Sequence, residues 1–201
     1  MTRKAFQTAE EIFKQNNGIL RTGQAKKLGI NEVTLVQMCD NGLLVKESRG
    51  VYRLANLPPL SNPDFVQIAM RVPQAVICLI SALNYHQLTT QIPYKVTIAL
   101  PKDVKAPRIE HPPLDIVYLS HKPYTTGIEE TILDGVPVRI YNREKTVADC
   151  FKFRNKIGLD IALEALKDYM RQPNRDIQKI IKYARINRVE KIMTPYIQAI
   201  L

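Results

Sequence analysis

A small number of side chains in this sequence could take part in covalent catalysis. His86 follows a long apolar run and could act as a base, while Asp149 and Cys150 could supply a carboxylate and a thiol nucleophile. A cysteine nucleophile needs a base within hydrogen-bond reach, and nothing in the sequence places His86 beside Cys150. A histidine at a helix end and a cysteine packed as a small apolar residue are the simpler interpretations.

Metal-dependent chemistry is not indicated either. His111 and His121 stand close to prolines in expected loops, without a second ligand at the spacing typical of metal sites. Glu144–Lys145 and Glu190–Lys191 do not have the Glu-x-Lys spacing of a metal-dependent nuclease, and the sequence has no glycine-rich phosphate loop. We therefore expect no enzymatic activity, no metal and no cofactor.

Residues 19–54 have instead the pattern of a module that recognises nucleic acid. Gly29 separates two short helices and can adopt the left-handed backbone that ends a helix, while Asn31 can cap the second one. A hairpin follows around Ser48-Arg49-Gly50. The predicted elements are an amphipathic helix containing Phe6 and Phe13, helices at about 22–28 and 32–41, and strands 43–46 and 51–54. This order predicts a winged helix-turn-helix, which places one helix in a DNA groove.

The side chains that could contact DNA fall into two groups. Base recognition is expected from Asn31, Thr34 and Gln37, since amides and hydroxyls can bond to base edges in the major groove. The expected phosphate contacts are Arg21, Lys26, Lys27, Arg49 and Arg53. The second helix has no lysine or arginine and carries Glu32 and Asp40, so we expect paired binding to repeated half-sites. A helix-turn-helix that only packs against protein is the alternative interpretation.

The charge of the chain favours a polyanionic partner. Its 29 lysines and arginines outnumber 19 aspartates and glutamates, which gives a net charge of +10. The basic excess lies in residues 1–62 and 143–201, whereas residues 63–142 are neutral. No apolar run reaches the roughly 18 residues of a membrane span, and the N-terminus lacks a signal-peptide core, so we expect a cytoplasmic protein. The scattered cysteines fit neither a disulfide framework nor a zinc site.

A second basic region lies towards the C-terminus. Lys152 and Arg154 belong to a predicted basic helix end, and Arg175, Lys179 and Lys182 have a spacing that places three charges on one helix face. We name these five residues the basic face. It could meet an acidic protein or a nucleic acid, or it could simply be solvated.

A change of composition divides the chain. Residues 56–63 contain three prolines, so they can continue neither a helix nor a strand. We predict a DNA-binding domain over residues 1–56, a proline-rich linker over 57–62 and a second domain over 63–201. The second domain begins with a short predicted helix over residues 64–72 and a buried helix over Ala75–Tyr85, and its strands then precede a helical stretch from Arg143 onward. This order predicts a mixed α+β class with a helical C-terminal part.

Three segments of the sequence resemble the AbiEi family, the antitoxins of abortive-infection (type IV) toxin–antitoxin pairs used in phage defence. They are LGINEVTLVQMCDNGLL with SRGVYRLA, then VICLISALNYHQLTTQIP, and then VRIYNREKTVADCF. The resemblance implies a winged helix that represses its own operon by binding promoter DNA. It also implies a second domain that opposes a nucleotidyltransferase-like toxin encoded beside it. The basic excess of residues 143–201 makes the basic face the candidate antitoxin surface.

Two other functions fit the same residues. One is a winged-helix regulator whose second domain senses a ligand and opposes no toxin. The other is a nucleic-acid enzyme without a recognisable motif. A neighbouring reading frame that resembles a nucleotidyltransferase would favour the antitoxin, and a deep polar pocket in the second domain would favour a sensor or an enzyme.

Overall fold

The computed structural model describes residues 3–200, with the side chain of Arg3 excepted. The chain forms two compact units. Unit 1 comprises the residues up to Pro73 together with Ile132–Val138, and unit 2 comprises Gln74–Thr131 and the residues from Arg139 onward. Both helices and sheets occur in quantity, so the predicted mixed α+β class is confirmed.

Unit 1 combines helices with an antiparallel sheet. Its elements in chain order are α1 (Arg3–Gln15), β1 (Ile19–Arg21), α2 (Thr22–Lys27), α3 (Glu32–Asp40), β2 (Leu44–Ser48), β3 (Val51–Leu54) and α4 (Pro63–Arg71). Strand β3 lies between β1 and β2 and is antiparallel to both. Phe13, Ala25, Leu35 and Met38 are fully buried and pack in one apolar cluster. This cluster holds α1, α2 and α3 together.

The turn between α2 and α3 follows from two residue types. Gly29 has a φ of +89°, a backbone conformation that costs glycine little. It lets the Ile30 N–H return to the Ala25 carbonyl at 2.9 Å, and Ile30 becomes buried. Asn31 then caps α3, because its Oδ1 accepts the Thr34 backbone N–H at 2.7 Å. The predicted cap of the second helix is confirmed.

Unit 1 does not end at the proline-rich segment. Ile19 and Val51 pack against Val66, Met70 and Val136, which come from α4 and from a distant hairpin. The Asp134 carboxylate of that hairpin accepts bonds from the Ser61 N–H and the Ser61 hydroxyl, both at 3.0 Å. The division of the chain therefore differs from the predicted 1–56, 57–62 and 63–201, because contacts between distant segments attach residues 60–71 to the first unit.

Unit 2 is built on a sheet with the strand order β6-β5-β4-β8-β7. The strands are β4 (Val76–Ile77), β5 (Val96–Pro101), β6 (Leu114–Leu119), β7 (Ile128–Leu133) and β8 (Val136–Tyr141), the last two shared with unit 1. Strands β5 and β6 run parallel, and β4 is antiparallel to β5. The predicted helix over Ala75–Tyr85 is wrong in its first part, since Val76–Ile77 is a strand. A short apolar run does not distinguish a buried strand from a buried helix.

The helices of unit 2 surround one central helix. They are α5 (Leu79–Tyr85), α6 (His121–Thr125), α7 (Arg143–Lys152), α8 (Arg154–Ile157), α9 (Leu159–Arg171), α10 (Ile177–Asn187) and α11 (Glu190–Ile200). Every residue of α7 from Glu144 to Phe151 is buried. Its buried charges are paired: Lys145 Nζ donates to Asp149 Oδ2 at 2.6 Å, and Glu144 accepts from the Tyr169 hydroxyl at 2.9 Å.

Gly127 provides a test of how closely the chain approaches α7. It has a φ of +81°, and an added Cβ would lie 2.7 Å from the Cβ of Lys145. We expect Gly127→Ala to lower the free energy of unfolding by about 3 kcal/mol, because left-handed strain adds to overpacking. Gly42→Ala is the matched control, since its φ of +70° is also positive but an added Cβ would have no atom within 4 Å. Urea denaturation of the full chain should show a clearly smaller loss for the control, and equal losses would contradict the close approach.

Candidate nucleic-acid interface

The exposed face of α3 is apolar at its centre and acidic at its ends. Val33 and Val36 are 57% and 52% exposed, and Glu32 and Asp40 are also exposed. Gln37 is half-buried, and its Oε1 is buried without a hydrogen-bond partner among the described residues. Apolar side chains can contact the methyl group of thymine in the major groove. Val33 and Val36 are therefore further candidate base contacts, which a sequence pattern of polar and basic residues does not indicate.

Thr34 does not belong to this exposed face. It is 5% exposed, and its hydroxyl donates to Asn31 Oδ1 at 2.9 Å. Asn31 and Thr34 thus bond to each other within the first turn of α3, with Asn31 itself exposed. We correct the predicted base-contacting set by removing Thr34, because its side chain faces the interior of unit 1.

The basic residues in α2 and immediately before it differ in exposure and in ion pairing. Lys26 and Lys27 are both exposed, and Arg21, immediately before α2, is half-buried. Lys26 Nζ lies 2.7 Å from Glu32 Oε1, so it links α2 to the start of α3. Lys27 forms no ion pair within residues 3–200, which leaves its charge for an external anion.

The hairpin β2–β3 carries an exposed basic tip and a buried arginine. Arg49 in the turn and Lys46 on β2 are exposed. Arg53 is 7% exposed, and it donates to the Glu47 carboxylate and to the carbonyls of Leu54 at 3.1 Å and Leu57 at 2.7 Å. The prediction that Arg53 contacts phosphate is therefore corrected. Lys46, which pairs with Tyr52 just before an irregularity in the β2–β3 register, is an additional exposed cation of this hairpin.

The basic face of unit 2 is not one continuous helix face. Arg175 precedes α10, whose N-cap is Asp176, so it shares no helix with Lys179 and Lys182. Lys179 Nζ lies 2.9 Å from Glu144 Oε2, while Lys182 and Arg175 are exposed. Arg154 Nη1 donates to the Phe151 carbonyl at 2.9 Å, and burial lowers the pKa of Lys152. The five residues therefore divide between structural and exposed positions.

The side chains considered for catalysis have structural partners. His86 follows α5, and its Nε2 lies 2.7 Å from the Tyr141 carbonyl, which can only accept, so Nε2 carries the proton. Burial lowers the pKa of His86 and raises the pKa of the Cys150 thiol. In the described part of the chain, no group of three or more His, Cys, Asp or Glu side chains is arranged to hold a metal ion. No helix over the same residues is both long and apolar enough to span a lipid bilayer.

Comparisons with known proteins bear on both the family and the fold. Residues 7–55 match a family model described as transcriptional regulator, AbiEi antitoxin. The resemblance to this family is thus confirmed for the stretch that contains α2, α3 and the hairpin, and it supports a role as a transcriptional regulator and antitoxin. No curated protein matches the sequence.

A solved structure resembles the whole chain. It is the crystal structure of the RV2827C protein from Mycobacterium tuberculosis, with a TM-score of 0.53. The match covers 98% of this chain and 81% of the other, at 11% sequence identity. At this identity the likeness is one of fold alone.

The buried position of Arg53 predicts a difference between two arginines of the same hairpin. Arg53→Ala leaves the Glu47 carboxylate without its buried partner, so we expect a loss of about 3 kcal/mol in the free energy of unfolding. Arg49→Ala removes an exposed charge and should change stability by less than about 0.5 kcal/mol. Chemical denaturation of the two variants measures both values. Similar losses in the two variants would contradict the structural role of Arg53.

Proposed function

We propose that this chain is a cytoplasmic DNA-binding autorepressor and antitoxin that opposes a nucleotidyltransferase-like toxin. The observation that carries the proposal is the match of residues 7–55 to AbiEi regulators, in a stretch where α2, the Gly29 turn and α3 precede a hairpin with a basic tip. In this proposal unit 1 is a winged helix-turn-helix, and the chain acts by binding rather than by catalysis. Regulators of this shape insert one helix into the major groove and place the hairpin on the backbone.

The proposed DNA surface comprises α3 and the exposed or half-buried cations on either side of it. Arg21, Lys26, Lys27, Lys46 and Arg49 supply the phosphate contacts, and Asn31, Val33, Val36 and Gln37 face the bases. Glu32 and Asp40 repel phosphate, so they favour a pose in which only the centre of α3 meets the base edges. The affinity of one copy for DNA is then modest, and the binding of two copies to repeated half-sites of the promoter raises the total affinity.

Unit 2 carries the proposed antitoxin surface. Its exposed cations Arg175 and Lys182 form no ion pair within residues 3–200, so they can meet an acidic partner. Lys182 lies in a shallow groove together with Lys179 and Arg185. Exposed charges of this kind act mainly on the rate of association, and single pairs contribute little. Recognition of the toxin therefore depends on the group of charges.

Salt dependence tests the phosphate contacts of unit 1. We expect Lys27→Gln and Arg49→Gln each to weaken binding to every duplex and to lower the slope of log K against log salt by about one. Each lysine or arginine bound to phosphate releases one counterion, which is the reason for this value. Lys167→Gln, an exposed lysine of unit 2, is the control of equal charge and should leave the slope unchanged. Electrophoretic mobility shifts over a salt series measure all three variants.

Base recognition is measured in the same assay. Gln37→Ala should cost about 1–3 kcal/mol on the promoter site and almost nothing on unrelated duplexes. An equal loss on both DNAs would contradict a role of Gln37 in reading sequence. Failure of the wild-type chain to bind its promoter more tightly than unrelated DNA would overturn the proposed autorepression.

Growth rescue tests the antitoxin surface. In cells that express the neighbouring toxin, Arg175→Glu with Lys182→Glu should lose rescue, because two attractive contacts become repulsive. Lys179 is left unchanged, since its bond to Glu144 belongs to the interior of unit 2. Lys167→Glu with Lys191→Glu is the matched control: it changes two exposed lysines elsewhere in unit 2 by the same charge. Full rescue by the first pair would show that Arg175 and Lys182 are only solvated surface residues. Both double variants should still bind DNA, which is the control for folding.

A further inference from the structure

A basic cleft of about 450 Å³ lies in unit 2, and neither Arg175 nor Lys182 lines it. It is formed by the chain from the end of β6 into α6 and by the C-terminal ends of α7 and α10. The side chains that matter are Ser120, Lys122, Lys152, Arg185, Asn187 and Arg188. The volume is within the range of pockets that hold small organic ligands.

The positive charge of the cleft is only partly neutralised by carboxylates. Arg185 bonds to Glu190 at 2.8 Å, but Lys122, Lys152 and Arg188 form no ion pair in the part of the chain that the structure describes. Asp149, the carboxylate that attracts Lys152, already accepts hydrogen bonds from Lys145. Burial lowers the pKa of Lys152, and Lys145, Lys102 and Arg188 act in the same direction against the attraction of Asp149. An anion in the cleft would relieve this repulsion.

Asn187 presents an unused hydrogen-bond acceptor at the same place. The residue is 4% exposed, and its Nδ2 donates to Asp149 Oδ1 at 2.7 Å. A carboxylate bound to lysine only accepts, so the orientation of the amide is determined and Oδ1 must point away from Asp149. This Oδ1 is buried without a partner among residues 3–200. Unpartnered buried acceptors are rare in proteins, and a ligand that donates an N–H or O–H would satisfy this one.

The backbone at Arg188 gives a further indication of function. Arg188 has a φ of +59° at the end of α10, a left-handed position that glycine normally fills. The helix end itself is well formed, because the Val189 N–H reaches the Ala184 carbonyl at 2.8 Å. Strained residues of this kind gather at sites of function. Here the strain places a guanidinium at the wall of the cleft.

We propose that this cleft binds a nucleoside phosphate, with the phosphate held by Lys122, Lys152 and Arg188 and a donor group of the nucleoside bound to Asn187 Oδ1. A nucleotide carries both an anion, which the unpaired cations of the cleft would bind, and hydrogen-bond donors, one of which Asn187 Oδ1 would accept. The size of the cleft suits one nucleotide, whereas a polynucleotide needs an extended basic track. The site is independent of the DNA surface of unit 1 and of Arg175 and Lys182.

Isothermal titration of the full chain tests the proposal with ATP, GTP, CTP, UTP and tripolyphosphate as separate probes. At least one nucleotide should bind, and tripolyphosphate should bind about tenfold more weakly because it leaves Asn187 Oδ1 unpaired. Arg188→Gly with Lys152→Gln should weaken the nucleotide by about tenfold or more. Glycine is suited to the left-handed backbone at this position, so this variant should fold. Lys95→Gln with Lys167→Gln removes the same charge from two exposed lysines elsewhere in unit 2 and should bind as the wild type does.

Each other outcome overturns the assignment. Absence of binding by all four nucleotides, or equal weakening in both double variants, would remove the site. Equal affinity for tripolyphosphate and nucleotide would reduce it to a general anion site. Binding of a single-stranded oligonucleotide without any mononucleotide, lost in Arg188→Gly with Lys152→Gln, would assign the cleft to nucleic acid instead. DNA binding by unit 1 and growth rescue are separate measurements, so the outcome here does not depend on theirs.

Discussion

The buried ion pair between Lys145 and Asp149 sets the arrangement of unit 2. Both side chains lie inside α7 with at most 2% of their surface exposed, and removing charges from water is costly unless every partner is present. Lys145 Nζ also lies 4.2 Å from the centre of the Tyr141 ring, and Asp149 accepts from Asn187. Helix α7, strand β8 and the end of α10 therefore keep their positions together, because displacement of β8 would remove the Tyr141 ring from Lys145 and displacement of α10 would remove the Asn187 amide from Asp149.

The buried Lys145–Asp149 pair also affects the candidate ligand site. The same Asp149 that neutralises Lys145 orients the Asn187 amide, and so decides which atom of that amide is left without a partner. Glu144 likewise links α7 to neighbouring helices, because it accepts a hydrogen bond from the Tyr169 hydroxyl and pairs with Lys179. Several basic residues near the C-terminus thus stabilise the fold, and only part of the net positive charge remains for a partner.

The local structure of unit 1 could be predicted because it depends on neighbouring residues. Gly29 ends one helix and Asn31 begins the next through bonds that span only a few positions. The strand β1 could not be predicted, because three residues are too few to show an alternating pattern. Its pairing with β3 comes from a segment about thirty residues away. The burial of Thr34 and Arg53 could not be predicted for a related reason. A helical or strand period indicates which residues share a face, but it does not show what covers that face.

The mixed α+β class, the approximate bounds of α2 and α3, the Gly29 turn and the resemblance to AbiEi regulators follow from the amino-acid sequence alone. These depend on residue type and short spacing, which local hydrogen bonds and backbone preferences convert directly into structure. Which charges are left without a partner depends instead on the tertiary structure. It buried Arg53 against Glu47, paired Lys179 with Glu144 and gathered Lys122, Lys152 and Arg188 around Asn187. The physical reason is that the energy of a charge depends on its burial and its partners, and both are supplied by segments far away in the chain.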